Sequence, residues 1–188
     1  MNQFMGPAIA VVGLSHHQAP IDVREKASLS EEQTRQLLRQ LLEDEDIDEA
    51  FVVATCNRVE VFVVGALATE TQNEVESTGR GTAAATLRLT AEAAGAAAAA
   101  FLAHAPDANR YLYTHLGDDA IRHLIRVAAS LDSLVVGEPQ ILGQLKKGFE
   151  LSREEGGLGP VLHRVFSRSV RGAKRIRSET LLGTGQVS

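Results

Sequence analysis

Two apolar runs, "EAFVVAT" at residues 49–55 and "RVEVFVVG" at 58–65, are separated only by Cys56 and Asn57. Both are rich in valine and phenylalanine, which suit a pleated and buried surface. A parallel pair needs a crossover of roughly a dozen residues or more, so these runs must pair antiparallel. That hairpin constrains everything around it. An earlier run, "AIAVVGLSH" at 8–16, reads as a buried strand ended by Ala19 and Pro20. Ser30 then opens a helix with acids in its first turn and Leu37, Leu38, Leu41 and Leu42 on one side. The polar stretch 66–82 reads as a loop. The alanine-rich segment 82–105 is helical by propensity, a bias that looks compositional rather than functional. Pro106 closes it, and "RYLYTH" at 110–115 supplies a fourth short strand. The order β-α-β-β-α-β predicts an α+β, ferredoxin-like fold over residues 1–116, with two helices on one face of a four-stranded antiparallel sheet.

After Gly117 the pattern becomes helical. Ile121, Leu124, Ile125, Ala128 and Leu131 mark one amphipathic helix. A second starts near Pro139, a residue suited to a first turn. In a third, Arg164, Arg168, Arg171 and Arg175 share one face, with Leu162, Phe166, Val170 and Ala173 roughly opposite. Residues 117–180 therefore read as a helical subdomain. No long Gly/Ser/Pro linker divides it from the sheet, so the two parts are expected to pack together.

Composition narrows the class. With 188 residues, 44% hydrophobic and 23% charged, the chain is globular rather than disordered. No apolar run reaches the roughly 18 residues of a membrane span, and the start lacks a basic leader. A single cysteine cannot form an internal disulfide, which fits a reducing, cytoplasm-like compartment. The net charge of −5 is uneven: residues 1–110 hold 8 basic and 16 acidic groups, and residues 111–188 hold 11 and 8. A local basic stripe on an acidic chain says more about partners than the total does.

The only thiol sits at the hairpin turn. An ordinary thiol is only a few per cent ionised at neutral pH, and a neighbouring cation raises that fraction. Arg58 could do this, or its planar fork could grip a carboxylate. Thr55 and Asn57 add a hydroxyl and an amide that can orient a polar ligand. On the turn alone, an inert half-buried cysteine and a nucleophile with its clamp both remain open. His123 lies off the main apolar stripe of its helix, toward Ser130, either as a surface residue or as a base facing a cleft. Ser133, Glu138, Gln140 and Gln144 crowd polar groups around the Gly137–Pro139 turn, where capping explains part of the pattern. There is no G-x-G-x-x-G after a strand, no phosphate-binding loop and no metal-ligand spacing.

Four blocks together carry a resemblance: "VVGLSHHQAPIDVREKASL", "ATCNRVEVF", "AIRHLIRVAASLDSLVVGEPQILGQLKKGFE" and "RVFSRSVRGAKRIRSET". In this order they resemble glutamyl-tRNA reductase, the enzyme opening the five-carbon route to tetrapyrroles. The resemblance implies that Cys56 attacks the ester of glutamyl-tRNA to give a glutamyl thioester, which NADPH then reduces to glutamate-1-semialdehyde. It implies a glutamate pocket of Thr55, Cys56, Asn57, Arg58, Ser133, Glu138, Pro139, Gln140 and Gln144. Arg58 would partner a substrate carboxylate, and by charge Glu138 would hold the α-ammonium. His123 falls at the family's activity-linked histidine and would assist as acid or base.

Family members continue into an NADPH domain and a dimerising helical region. Residues 181–188 would begin the connection to them, so no residue of this chain is expected to bind NADPH, and no metal is expected. Partners implied are glutamyl-tRNA, guided by the Arg164–Arg175 face, and the next pathway enzyme, glutamate-1-semialdehyde aminomutase, or regulatory proteins. No membrane partner is expected; the compartment would be the cytoplasm, or the plastid stroma in a photosynthetic eukaryote. The alternative is a non-catalytic tRNA- or regulator-binding module on the same scaffold. A thiol redox enzyme fits less well, because no second cysteine is available to resolve an intermediate.

Overall fold

The structure, a computed structural model, describes residues 8–65, 83–133 and 140–179. The expectations for the 66–82 loop, for Glu138 and Pro139, and for the 181–188 tail lie outside these residues. In chain order the elements are β1 (Ile9–Ser15), α1 (Ile21–Ala27), α2 (Glu31–Leu42), β2 (Ile47–Ala54), β3 (Arg58–Gly65) and α3 (Ala83–His104). A 3-10 helix (Pro106–Tyr111), β4 (Tyr113–Leu116), α4 (Asp118–Ala128), α5 (Gln140–Glu154) and α6 (Pro160–Glu179) follow. The strands form one antiparallel sheet in the order β2-β3-β1-β4. This is the α+β, ferredoxin-like topology that the hairpin and the element order predict.

The strands read as continuous apolar runs because both faces of the sheet are covered. On one face Val12, Leu14, Val52, Val61 and Val63 meet Leu37, Leu38 and Leu41 of α2 and Ala93, Ala97 and Phe101 of α3. On the other, Val11, Phe51, Val53 and Phe62 meet Leu124 and Val127 of α4, Ile141 and Leu145 of α5, and Leu162 and Phe166 of α6. The helical segment is thus the third layer of a sandwich built on the shared sheet.

Three local details differ from expectation. Helix α1 is additional: its seven residues bury only Val23 and Ala27, too few for a visible period. The fourth strand is shorter and later, because the 3-10 turn opened by Pro106 takes up residues 106–111. The alanines of α3 have a packing role, with Ala93 and Ala97 fully buried against the sheet. Helix α2 starts where Ser30 predicts. Ser30 Oγ accepts from the Gln33 amide at 3.2 Å, and Gln33 Oε1 accepts from the Ser30 amide at 2.9 Å.

Helix α6 is capped from a distance. Glu49, buried in β2, accepts from the backbone N–H of Val161 at 2.9 Å and of Leu162 at 2.6 Å. It supplies the acceptor that the first turn of a helix lacks. Gly159 permits the approach, since a Cβ there would lie 2.6 Å from Glu49 Cδ. Alongside, the Ala50 N–H on the outer edge of β2 donates to Gly157 O at 2.8 Å. Among the described residues no helix is long and apolar enough to cross a membrane.

Candidate functional site

The β2–β3 connection is tight because Thr55 gathers it. Its backbone N–H donates to Arg58 O at 2.8 Å, and its Oγ1 accepts from the N–H groups of Asn57 and Arg58, both at 3.2 Å. A threonine hydroxyl replaces backbone acceptors in such turns. Cys56 is left exposed at the apex. Two further restraints hold the turn. The His16 N–H donates to Asn57 O at 2.9 Å, and Arg24 Nη1 of α1 donates to Cys56 O at 2.9 Å and to Asn57 Oδ1 at 3.3 Å.

Along β3, side chains alternate between faces, so Arg58, Glu60 and Phe62 all point toward α4. Arg58 and Glu60 are 1% and 0% exposed, which is rare for charged residues unless they are paired. They are paired: Arg58 Nη1 donates to Glu60 Oε1 at 2.6 Å. The same oxygen accepts from the Tyr113 hydroxyl and lies 2.9 Å from His123 Nε2. Gly13 makes this possible. It pairs with Glu60 on one side and Tyr113 on the other, and its missing side chain lets the two reach each other across β1. A Cβ at Gly13 would stand 2.8 Å from Glu60 Cα. Burial alone would push the Glu60 carboxyl up; the His123 hydrogen bond and the Arg58 charge overcome this and hold it down at about 2. Burial and the Glu60 charge push the Tyr113 phenol well up, so it stays a donor. An ionised Glu60 only accepts, which makes His123 Nε2 a donor and leaves Nδ1 as its basic atom.

Asp132 completes the group. Helix α4 ends in a backbone reversal at Ser130, whose φ is 61°; Ser130 N–H donates to Val127 O and Leu131 N–H to Arg126 O, at 2.9 and 3.0 Å. The reversal returns Asp132 to Arg58, whose Nη2 donates to the Asp132 backbone carbonyl. The Asp132 carboxylate lies 3.3 Å from Arg58 Nη2, 3.4 Å from His17 Nε2 and 3.7 Å from Arg126 Nη2. Burial works against its charge, but Arg58, His17 and His123 together outweigh burial and hold it below the usual carboxylate range.

These side chains border a cleft of about 450 Å³ lined by Ser15, His17, Tyr113, His115, His123 and Asp132, with Asp119, Arg122 and Arg126 at its α4 side. His123 is thus both buried and on the cleft wall, neither a surface residue nor off the packed side of α4. The fork of Arg58 is occupied by Glu60 and Asp132, so holding a substrate carboxylate would require displacing Asp132. Ser133 Oγ accepts from Ser130 Oγ at 3.1 Å. Gln140 is exposed at the start of α5, and Gln144 borders a separate small hollow with Val52 and Ala54. Among the described residues no group of three or more His, Cys, Asp or Glu could hold a metal ion.

Sequence reasoning missed Arg24, Glu60, Tyr113 and Asp132. One signal was available: Arg58 and Glu60 stand two apart, on one face of an otherwise apolar strand. Asp132 and Arg24 left no such trace, because turns outside the sheet bring them in.

Residues 12–180 match the family described as glutamyl-tRNAGlu reductase, N-terminal domain. The glutamyl-tRNA reductase of Crocosphaera subtropica is 42% identical over 182 residues, covering 96% of this chain and 38% of that protein. That of Synechococcus sp. (strain JA-3-3Ab) is 42% identical over 180 residues, with the same coverage. The chain therefore spans under two-fifths of the length of these relatives. In structure it is similar to the glutamyl-tRNA reductase from Methanopyrus kandleri, with a TM-score of 0.64 and 29% identity over 93% of this chain and 35% of that one. A hairpin-borne thiol, a cleft walled by His123 and Asp132 and a match across nearly the whole chain lead to one conclusion: the chain belongs to the glutamyl-tRNA reductase N-terminal domain family.

Proposed function

We propose that this chain carries the acyl-transfer half of glutamyl-tRNA reduction. Cys56 Sγ attacks the carbonyl carbon of the ester joining glutamate to tRNA. A C–S bond forms and the C–O bond to the terminal ribose breaks; the thiol proton ends on the departing ribose oxygen. The product is a glutamyl thioester on Cys56, one difficult step divided in two. The observation that carries this reading is the exposure of the chain's sole thiol at a turn fixed by Thr55, His16 and Arg24, in a chain of this family. His123, with Nε2 held by Glu60, has Nδ1 to move the proton. Thr55 and Asn57 orient the turn.

In the whole reductases NADPH would supply hydride to the thioester. The described residues do not fit that cofactor. The glycines at 156, 157 and 159 lie between two helices, and the α6 N-terminus, a natural phosphate site, is filled by Glu49 of this chain. No residue here is assigned to NADPH.

Incubating the protein with glutamyl-tRNA labelled in the amino acid tests the reading. Mass spectrometry should find a glutamyl group on Cys56, or the tRNA should be deacylated, and Cys56→Ser should abolish the adduct. Absence of both adduct and deacylation from the wild-type chain would overturn the proposal.

A further inference from the structure

We infer that Arg24 of α1 is a positioning residue for the nucleophile: through the Cys56 carbonyl it sets the direction in which the thiol meets its ester. This rests on the preceding reading of Cys56 as the attacking group and deepens it. One peptide plane is decisive, that between Cys56 and Asn57. Its N–H and C=O point in opposite directions, so a bond at each end locks it against turning over. Thr55 Oγ1 accepts from the N–H at 3.2 Å. Among the described residues Arg24 Nη1 alone donates to the C=O, at 2.9 Å. The same nitrogen donates to the Asn57 side-chain oxygen at 3.3 Å. The plane fixes ψ of Cys56, and with it the angle at which the Cα–Cβ bond, and hence Sγ, stands to the strand that follows.

The Arg24 side chain is committed to this turn alone. Among the described residues no carboxylate pairs with it, and both of its hydrogen bonds go to Cys56 and Asn57. Its Nε is buried without a partner, a cost that a cation serving only the surface would not carry. Nor is Arg24 needed to dock α1. Val23 and Ala27 are buried in the core on the α2–α3 side of the sheet, and Lys26 pairs with Asp107 at 3.0 Å. Those contacts seat the helix, and the guanidinium then reaches a carbonyl 32 residues away in sequence. Its planar fork holds donors in a fixed geometry, whereas an ammonium is a point donor. Misplacing a reacting group by about 1 Å can slow a reaction about a hundredfold. A loosened Cys56 should therefore react more slowly with a substrate that must approach from one direction.

In the test, single-turnover reaction with glutamyl-tRNA is timed for wild type, Arg24→Ala, Arg24→Lys and Lys26→Ala. Each protein gives a maximal rate and a half-saturating protein concentration. In parallel, Cys56 is alkylated with iodoacetamide, a small reagent that can approach an exposed thiol from many directions. Arg24→Ala should lower the maximal rate by about tenfold to a hundredfold, with half-saturation and alkylation within about twofold of wild type. Arg24→Lys, with a point donor in place of the fork, should fall between the two. Lys26→Ala removes a tie of α1 without touching the turn and should react as wild type does. A wild-type maximal rate in Arg24→Ala overturns the inference. An equal loss in Lys26→Ala also overturns it, making Arg24 only a tether for the helix. A parallel loss of alkylation does so too, making Arg24 a charge that acts on the thiol. A raised half-saturating concentration at unchanged maximal rate makes it a tRNA contact instead. Should Arg24→Ala fail to fold, Arg24→Lys decides, and a wild-type rate there overturns the inference. Wild type inert toward glutamyl-tRNA would instead sink the thioester reading, and this inference with it.

Discussion

Arg58 lies between two of the protein's own carboxylates, Glu60 and Asp132. Its partner Glu60 collects the Arg58 guanidinium, the Tyr113 hydroxyl and His123 on one oxygen. Removing one member of a buried pair leaves the other uncompensated, so Glu60→Ala should cost about 3–5 kcal/mol, measured by urea unfolding. The pH dependence follows from the depressed carboxyl. Folded Glu60 titrates at about 2, below its ordinary 4.5, so its contribution is complete above pH 4.5 and is lost as pH falls toward 2. Stability of the wild type should decline across that window, and Glu60→Gln should flatten the decline. The charge alternation of "RVEVFVV" made half of this pair visible in the sequence. Its acceptor arrangement was not visible, because it depends on Gly13 and Tyr113 lying beside Glu60 in the sheet, and register is a property of pairing.

At the scale of elements, helix α3 shows how composition can mislead. Its alanines suggest bias, yet those on one face are packed: Ala93, Ala97 and Ala100 are buried, whereas Ala91 and Ala99 are exposed. Ala97→Leu should overpack the layer and destabilise by about 1–3 kcal/mol. Gly95, exposed in mid-helix with nothing near a would-be Cβ, predicts the opposite sign: Gly95→Ala should stabilise by about 0.5–1 kcal/mol. Thermal melts of the two variants check both directions. Long periodic elements such as α2 and α6 were legible from their apolar spacing, and α2 also from its Ser30 start. Helix α1 was not, since one buried turn carries no period, yet it delivers Arg24 to the Cys56 turn.

For the whole molecule, the shared sheet predicts cooperative unfolding. Leu38→Ala strikes the α2–α3 layer and Leu162→Ala the α4–α6 layer; each should cost about 2–5 kcal/mol and shift one common denaturant transition. Two separate transitions would mean that the helical segment folds independently. The sequence foretold that the two parts would pack but not that the helices would cover the sheet's second face, because a both-sided apolar strand looks the same whatever covers it. The long-range cap of Glu49 on α6 has a further consequence. Strand β2 is an outer strand, the kind that offers open N–H and C=O groups to any passing chain. The α5–α6 connection lies along it, with Gly157 taking up the Ala50 N–H, while the buried charge of Glu49 would be left unbalanced in any rival pairing. The contact that starts a helix therefore also keeps the sheet from growing by addition of a second molecule, and so guards the protein against aggregation.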